Sequence, residues 1–198
     1  MAASPTVGTG GSRRDQILAV AAQLFAKHGF HGVSIADLGA AVGVSGPALY
    51  RHFPGKEALL AEMLIGISEH LLAGGQARAA ASDDPREVLT ALVEFQLDFA
   101  LREPELIVVQ DRDLANLPTD ARRRVRRLQR AYVEIWVDTL QQVHRGLSAE
   151  SARIGAHGAF GLLNSTPHSA PGHSEGRPPE VAALLRRMAL AALMDLPV

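Results

Sequence analysis

The apolar residues of this chain recur every three or four positions, and no segment alternates apolar and polar residues one by one. The helical spacing is present near the N-terminus, from Ile17 to His28, and near the other end, from Val181 to Ala192. Such spacing places apolar side chains on one face of an α-helix. The sequence also lacks the Asn-Gly pairs that are typical of β-hairpins. It therefore predicts an all-α fold with about nine helices.

Helix start and stop signals divide the N-terminal region into short helices. Gly29 is expected to end the first helix, and Ser34, with Asp37 three residues later, opens the second in a variant of the capping box. Ser45 is expected to cap a third helix, which the segment 53–55 (Phe-Pro-Gly) ends. Two short helices joined by a tight turn predict a helix-turn-helix, a motif that places its second helix in the major groove of DNA.

Charge and composition narrow the function further. Up to Lys56 the chain has five basic and two acidic residues, whereas the remainder has 15 basic and 19 acidic ones. A basic N-terminal segment on an acidic body suggests a polyanion-binding head, although chance scatter would give the same small excess. The chain has no cysteine, which excludes disulfides and thiolate sites and fits the reducing cytoplasm. No signal peptide or membrane-spanning run is predicted.

Hydrogen-bond donors cluster around the predicted helix-turn-helix. Ser34, Tyr50, His52 and Lys56 carry donors of the kinds that proteins use on phosphate oxygens. Lys56 stands at a helix start, where the helix dipole disfavours a cation, and a nearby phosphate would remove this conflict. Structural roles stay open as alternatives: Tyr50 can belong partly to the core, and His52 can cap the end of its helix.

The segment Val33–Leu60, VSIADLGAAVGVSGPALYRHFPGKEALL, resembles the DNA-binding domain of the TetR/AcrR family of bacterial transcriptional regulators, and Leu24–Phe30 (LFAKHGF) matches too. The resemblance covers roughly residues 13–62. The remainder is similar to the family only in its helical character and length. The resemblance implies a cytoplasmic homodimer that binds a palindromic double-stranded DNA operator and a small effector, with no cofactor.

The resemblance also assigns roles to individual residues. Phosphates would be held by Ser34, Tyr50, His52 and Lys56, and bases would be read at Ser45, Gly46, Pro47, Ala48 and Arg51. The Gly-Pro-Ala segment has no polar side chain, so it can offer only backbone contacts or apolar contacts to a thymine methyl. Arg51 is the best candidate for a bidentate guanine contact, and phosphate binding is its alternative.

Three regions are expected along the chain: a disordered tail at 1–11, a helix-turn-helix domain at 12–56, and a helical ligand-binding and dimerisation domain at 57–198. The last two helices are the expected dimer interface, because Ala152–Asn164 is rich in glycine and alanine, which lets helices approach closely. Burial of this segment within the monomer is the alternative.

An effector pocket among the central helices is implied by the resemblance. Its expected lining combines large aromatic rings and amides: Phe95, Phe99, Tyr132, Trp136, Gln96, Gln110 and Asn164. An apolar effector is expected, such as an acyl thioester or a drug-like hydrophobe. The six arginines of Ala121–Arg130 can bind an anionic ligand or touch DNA, but a solvated helix face is the favoured interpretation.

Two further motifs are rejected as enzyme or metal sites. Gly172–Gly176 (GHSEG) matches the G-x-S-x-G nucleophile elbow, which requires a strand-turn-helix that this chain does not predict. His157, His168 and His173 lack the spacing of known metal motifs. We therefore predict that the protein is not an enzyme but a ligand-responsive regulator, most simply a repressor. A transcriptional activator and a ligand-independent DNA binder are the alternatives.

Overall fold

The computed structural model describes residues 12–166 and 179–197. Within these ranges the chain forms nine α-helices and no strand, which confirms the all-α prediction. The helices are α1 (Arg13–His28), α2 (Ile35–Val42), α3 (Gly46–Tyr50), α4 (Lys56–Ala79), α5 (Pro85–Arg102), α6 (Pro104–Asp113), α7 (Thr119–Val143), α8 (Ala149–Leu163) and α9 (Pro179–Met194). The predicted disordered tail and the GHSEG segment lie outside the described residues.

Local capping chemistry sets the limits of the first helices. Both α1 and α2 begin with a complete capping box, formed by Ser12 with Asp15 and by Ser34 with Asp37. The α1 box was not anticipated from the sequence. Gly43 follows α2 with a φ of 69°, in the left-handed region that favours glycine. This reversal directs the chain into α3 and makes the tight turn of the helix-turn-helix.

Two apolar cores lie along the molecule, and helices α4, α6 and α7 contribute buried residues to both. The head core contains buried residues of α1 to α4, such as Phe25 and Leu60, and also Val125 of α7. The body core contains Leu71 of α4 and buried residues of α5 and α7 to α9. Because α4 contributes to both cores, the division into domains at Lys56 remains a proposal.

Helix α4 is long and apolar enough, by length and composition alone, to cross a membrane. An 18-residue window of it has a mean hydropathy of 1.3, and 39% of that window is buried in the fold. No other helix in the described ranges meets the same criterion. One such helix is weak evidence for a membrane span, since core helices pass the same test. Here Leu60 and Leu71 pack into the two protein cores.

Helices α4 and α7 approach each other closely at a glycine. A Cβ atom at Gly75 would lie 2.7 Å from Cε2 of Tyr132 and 3.3 Å from Cδ1 of Ile135. Only a residue without a side chain therefore fits this crossing. The close approach positions Tyr132 against α5 and α8, where its hydroxyl contributes to the site described below.

Candidate nucleic-acid interface and effector cavity

Helix α3 is anchored by buried residues and presents exposed ones. Leu49 is fully buried and Phe53 nearly so, which fixes the short helix in the head core. Tyr50, by contrast, has 53% of its surface exposed, and Arg51 is exposed beside it. Of the other predicted base-reading residues, Ser45 and Pro47 are exposed, and Gly46 and Ala48 are half-buried.

The two predicted N-cap serines have different surroundings. The Ser34 hydroxyl lies 2.6 Å from Oδ2 of Asp37 and accepts a bond from the Asp37 backbone N–H at 3.1 Å. The hydrogen bond from the Ser34 side chain holds the pKa of Asp37 below its ordinary value. Ser45 occupies the N-cap position of α3, but its hydroxyl makes no capping bond. Ser34 is thus engaged in the fold, whereas Ser45 presents its hydroxyl at an exposed helix start.

Contacts within the protein explain why a cation, Lys56, can stand at the start of α4. Its half-buried Nζ atom donates to the backbone carbonyls of Phe30 at 2.7 Å and Val33 at 2.8 Å. The same atom lies 4.3 Å from the centre of the Phe30 ring, within cation–π distance. These contacts tie α4 to the loop between α1 and α2. Two of the three ammonium hydrogens are used in these hydrogen bonds.

Arg14 supports the segment that follows α3, a role that the sequence analysis did not foresee. Its guanidinium donates to the His52 carbonyl at 2.6 Å, pairs with Glu62 and lies 4.3 Å from the centre of the Phe53 ring. His52 itself is half-buried. The backbone around the predicted phosphate-binding residues is therefore fixed by contacts with α1 and α4.

A cavity of about 350 Å³ lies among the central helices, within the size range of small-molecule sites. Five of the seven residues predicted for an effector pocket line it: Gln96, Phe99, Gln110, Tyr132 and Asn164. The sequence analysis missed the other lining residues, which are Ser68, Leu71, Asp111, Leu114, Gln129, Val133, His157 and Phe160. Helical periodicity carries no signal that distinguishes these residues from ordinary core or surface positions.

A chain of hydrogen bonds crosses one wall of the cavity. The Tyr132 hydroxyl donates to Oε1 of Gln96 at 3.0 Å, and Nε2 of Gln96 donates to Oδ1 of Asn164 at 2.9 Å. Gln96 is only 2% exposed, and burial raises the pKa of Tyr132 so that its phenol stays neutral. Helices α5 and α7 and the end of α8 thus hold polar groups in fixed orientations.

The two remaining predicted pocket residues do not line this cavity. The ring of Phe95 packs against α4, with the Arg78 guanidinium 3.9 Å from its centre. Trp136 is fully buried behind the lining, and its ring centre lies 4.9 Å from that of Phe160. Its Nε1 atom has no hydrogen-bond partner among the described residues. Trp136 thus supports the wall from behind through Phe160, whereas Phe95 packs on α4 away from the lining.

The last turn of α6 and Leu114, the residue that follows the helix, contact the cavity and the head. Gln110 and Leu114 line the cavity. Between them, Arg112 donates to the carbonyl of Phe25 and, at 3.2 Å, to that of Ala26, in the last turn of α1. Its guanidinium also pairs with the buried carboxylate of the neighbouring Asp113 at 3.0 Å. Arg112 thus joins α6 to the last turn of α1.

Large apolar side chains are exposed on the last two helices. Ile154 on α8 is 67% exposed, and Leu184 and Met188 on α9 are 49% and 46% exposed. On α8, a Cβ added at Gly158 or Gly161 would meet nothing within 4 Å. Three large apolar side chains of α8 and α9 are therefore accessible to solvent in the single chain.

The described residues contain no group of three or more side chains that could hold a metal ion. Of the histidines considered as ligands, His157 lines the cavity instead. His168 and His173 lie outside the described residues, as does the Gly172–Gly176 segment.

Family models match both parts of the chain. The model of bacterial regulatory proteins of the tetR family matches residues 17–63. The model of the tetracyclin repressor-like C-terminal domain matches residues 82–193, which is more than half of the chain. The first match contains the helix-turn-helix, and the second contains most of the residues that line the cavity and the exposed side chains of α8 and α9.

Relatives and solved structures agree with these matches. The HTH-type transcriptional repressor KstR2 of Mycolicibacterium smegmatis is 30% identical over 140 residues, which span 66% of this chain and 64% of that protein. A TetR-family transcriptional regulator from Bordetella parapertussis 12822 has a TM-score of 0.81 at 26% identity, covering 92% of this chain and 94% of that one. AibR in complex with isovaleryl coenzyme A and operator DNA has the same fold, with a TM-score of 0.76 at 19% identity over 92% and 98% of the chains.

Proposed function

The chain belongs to the TetR family of bacterial regulatory proteins, and we propose that it is a cytoplasmic, homodimeric repressor released from a palindromic operator by a small effector. One observation carries this proposal: α6 joins the wall of a ligand-sized cavity to the DNA-binding head. Gln110 and Leu114 line the cavity, and Arg112 between them binds the end of α1. The division into a head at 12–56 and a body at 57–198 is part of the proposal.

On the DNA side, α3 would lie in the major groove. The exposed Arg51 would contact a guanine or a phosphate, and the exposed Tyr50 would donate to a phosphate. Ser45 has a hydroxyl without a capping bond and would contact the DNA at the start of α3. Gly46, Pro47 and Ala48 would offer backbone or thymine-methyl contacts. Together these residues would position α3 on the DNA backbone and would make a small number of contacts with the bases.

Ser34, His52 and Lys56 would act as secondary phosphate contacts. Each is held by the fold: Ser34 by Asp37, the His52 carbonyl by Arg14, and Lys56 by two backbone carbonyls. Such preorganisation lowers the ordering cost of a contact when DNA binds. A substitution that breaks one of these contacts within the fold would therefore lower both the stability of the head and its affinity for DNA.

Dimerisation would occur through α8 and α9, which carry Ile154, Leu184 and Met188 on their exposed surface. Pairing with the same surface of a second copy would form an isologous interface, the commonest arrangement of homodimers. A dimer would then present two α3 helices to two half-sites of a palindrome.

Release would follow from the effector's different affinities for two states of the protein. An effector in the cavity would contact α6 and displace it, and Arg112 would pass that displacement to α1 and the head. A small, largely apolar effector suits the aromatic part of the lining. The AibR complex supports the scheme, because that protein binds isovaleryl coenzyme A and operator DNA on the same fold.

Selection from a randomised duplex library, followed by sequencing, tests the proposal with the wild-type chain and Tyr50→Ala. Enrichment of one palindrome by the wild type, and its loss in the variant, is the expected result. Thermal unfolding of both chains provides the control, because removal of an exposed side chain should leave stability unchanged. Weak, salt-sensitive binding without enrichment would contradict sequence-specific regulation.

The same operator then distinguishes the alternatives. A reporter driven by the neighbouring promoter should rise when the gene for this chain is deleted, if the protein represses. A fall would indicate an activator, and an operator affinity that no effector changes would indicate a ligand-independent DNA binder.

A further inference from the structure

A groove distinct from the effector cavity lies where the head meets the body. It encloses about 380 Å³ between α1, α4 and the turn from α5 into α6, which is within the size range of small-molecule sites. The groove and the effector cavity share no lining residue. A molecule in the groove would contact a helix of the head and helices of the body at the same time.

Apolar side chains from three helices line much of the groove. They are Leu18 and Ala22 of α1, Met63 and Ile67 of α4, and Leu106 of α6. Ala22 and Met63 are buried, whereas Leu18, Ile67 and Leu106 are half-buried and keep part of their surface accessible. An alkyl or aryl group placed here would remove this apolar surface from water, which is favourable.

Gly66 leaves space in the wall that α4 forms. It lines the groove and is exposed. A Cβ added at Gly66 would meet nothing within 4 Å, whereas a Cβ at Gly75 of the same helix would meet Tyr132. No close approach of a neighbouring helix therefore requires a glycine at position 66, and the absent side chain leaves the groove open along α4.

Two of the charged side chains that line the groove have partners within the fold. Glu62 of α4 pairs with Arg14 of α1. Arg102, at the end of α5, has its Nε atom 2.7 Å from Oδ1 of Asp98 on the same helix. The charges of Glu62 and Arg102 are thus offset by neighbouring side chains.

Glu103 and Glu105, which also line the groove, differ in this respect. Neither carboxylate makes a hydrogen bond or an ion pair among residues 12–166 and 179–197. Partial burial and the negative charge of Glu105 raise the pKa of Glu103, while the nearby His70 acts in the opposite direction. The two carboxylates repel each other beside an apolar surface, and a cation placed next to them would relieve this repulsion.

We propose that the groove is a second ligand site, which binds an organic monocation with its ammonium group beside Glu103 and Glu105 and its alkyl or aryl part against the apolar wall. Charge complementarity selects the ammonium group, because a carboxylate would add to the repulsion and an alcohol would not relieve it. A ligand that contacts α1, α4 and α6 together would favour one arrangement of head and body. The inference does not depend on the proposed function, since binding requires neither an operator nor the effector cavity.

Isothermal titration of the DNA-free protein with octylammonium tests the preference for a cation. 1-Octanol and octanoate are the neutral and anionic probes of the same chain length, and methylammonium is the probe without an apolar part. Octylammonium should bind with a dissociation constant below about 1 mM and at least about tenfold more tightly than each of the other three probes. Only octylammonium combines the positive charge with an apolar group that fills the groove.

The methyl resonances of the methionines report where octylammonium binds. The chain has four methionines, of which Met63 lines the groove and Met188 lies exposed on α9. In protein labelled with carbon-13 at the methionine methyl groups, octylammonium should shift the Met63 resonance and leave the Met188 resonance unchanged. The spectrum of Met63→Leu assigns the resonance.

Matched variants test the charge and the space separately. The double variant Glu103→Gln/Glu105→Gln should weaken octylammonium binding by at least about tenfold, because the charges that attract the ammonium group are lost. Gly66→Leu should weaken it by a similar factor, because a side chain at this position occupies the groove. Glu150→Gln removes an exposed carboxylate of α8 that lines neither space, and its affinity should stay within about twofold of the wild type. Circular dichroism should show that every variant is folded.

Several results would overturn the inference. They are equal binding of octylammonium and octanoate, an unchanged Met63 resonance at saturation, and no binding of octylammonium up to about 1 mM. Full affinity in both the double variant and Gly66→Leu would place the amine elsewhere, for example in the effector cavity. Operator selection is a separate measurement, so a chain that binds the amine without binding DNA would contradict the regulatory function and leave this inference standing.

Discussion

Lys56 donates a 2.7 Å hydrogen bond to the carbonyl of Phe30 and places the same ammonium group 4.3 Å from the centre of that residue's ring. The cation thus binds one residue through both its backbone and its side chain, and Val33 supplies a second carbonyl. A charge that the helix dipole disfavours at the start of α4 is in this way stabilised by the loop that α4 contacts.

We expect Lys56→Met to lower the free energy of unfolding by about 2 kcal/mol, because two charge-assisted hydrogen bonds to backbone carbonyls are lost. Urea denaturation measures the change. Lys27→Met is the matched control, since Lys27 is an exposed lysine in α1, and its effect should stay within about 0.5 kcal/mol. Equal stability of the two variants would show that the carbonyl contacts of Lys56 contribute nothing to the fold.

The two N-cap serines should respond differently to alanine. Ser34→Ala removes a capping box and should cost about 1 kcal/mol, whereas Ser45→Ala removes no capping bond and should cost much less. Ser45→Ala should still weaken operator binding. Denaturation and DNA titration of both variants test this, and a larger loss of stability in Ser45→Ala would contradict the assignment.

The hydrogen bond between Ser34 and Asp37 also changes the pKa of the Asp37 carboxyl. A hydrogen bond to a carboxylate stabilises its charged form, so the pKa of Asp37 is lowered in the folded chain. In Ser34→Ala this pKa should rise towards its ordinary value, which NMR titration of the side-chain carboxyl measures. In the wild type, the contribution of this carboxylate to stability is present above its unfolded pKa and is lost as the pH falls through the lower folded value.

Glycines on α4 provide a matched pair for testing the helix crossing. Gly75→Ala would place a Cβ 2.7 Å from Cε2 of the buried Tyr132, and this overpacking should cost about 1 to 3 kcal/mol. Gly66→Ala meets nothing within 4 Å and should add stability, by up to about 1 kcal/mol, through helix propensity. Thermal unfolding distinguishes the two, and stabilisation by both substitutions would contradict the close approach of α4 and α7.

The hydrogen-bonded wall of the cavity can be tested through Tyr132→Phe. Without the hydroxyl, Oε1 of the buried Gln96 loses its donor, and the free energy of unfolding should fall by about 1 to 2 kcal/mol. Gln96→Leu should remove the same interaction from the other side. In a double-mutant cycle, the combined loss should therefore be smaller than the sum of the single losses, and strict additivity would contradict the bond.

The proposed dimer surface predicts a selective loss of association. Leu184→Asp and Met188→Asp introduce charges into apolar positions that are exposed in the monomer, so each should produce monomers without unfolding the chain. Sedimentation equilibrium and circular dichroism measure the two properties. Glu180→Ala changes an exposed residue in the first turn of the same helix and should remain dimeric. Dimers of unchanged affinity in both aspartate variants would place the interface elsewhere.

The sequence by itself determined the helices and the helix-turn-helix. Apolar spacing, the Ser34–Asp37 box and Gly43 act within a few residues of one another, and local interactions of this kind are visible in the order of residues. The resemblance to a known family implied a pocket among the central helices, and five of the seven residues expected there line the cavity.

Only the tertiary structure decided which partners these side chains have. Lys56 contacts carbonyls 23 and 26 residues away, Arg112 binds carbonyls 86 and 87 residues away, and Arg124 of α7 pairs with Glu69 of α4 across 55 residues. Phe95 and Trp136 do not line the cavity, because the crossing of the helices sets which ring reaches it. Such contacts depend on how helices that are distant in sequence pack together, and no local pattern of residues specifies that arrangement.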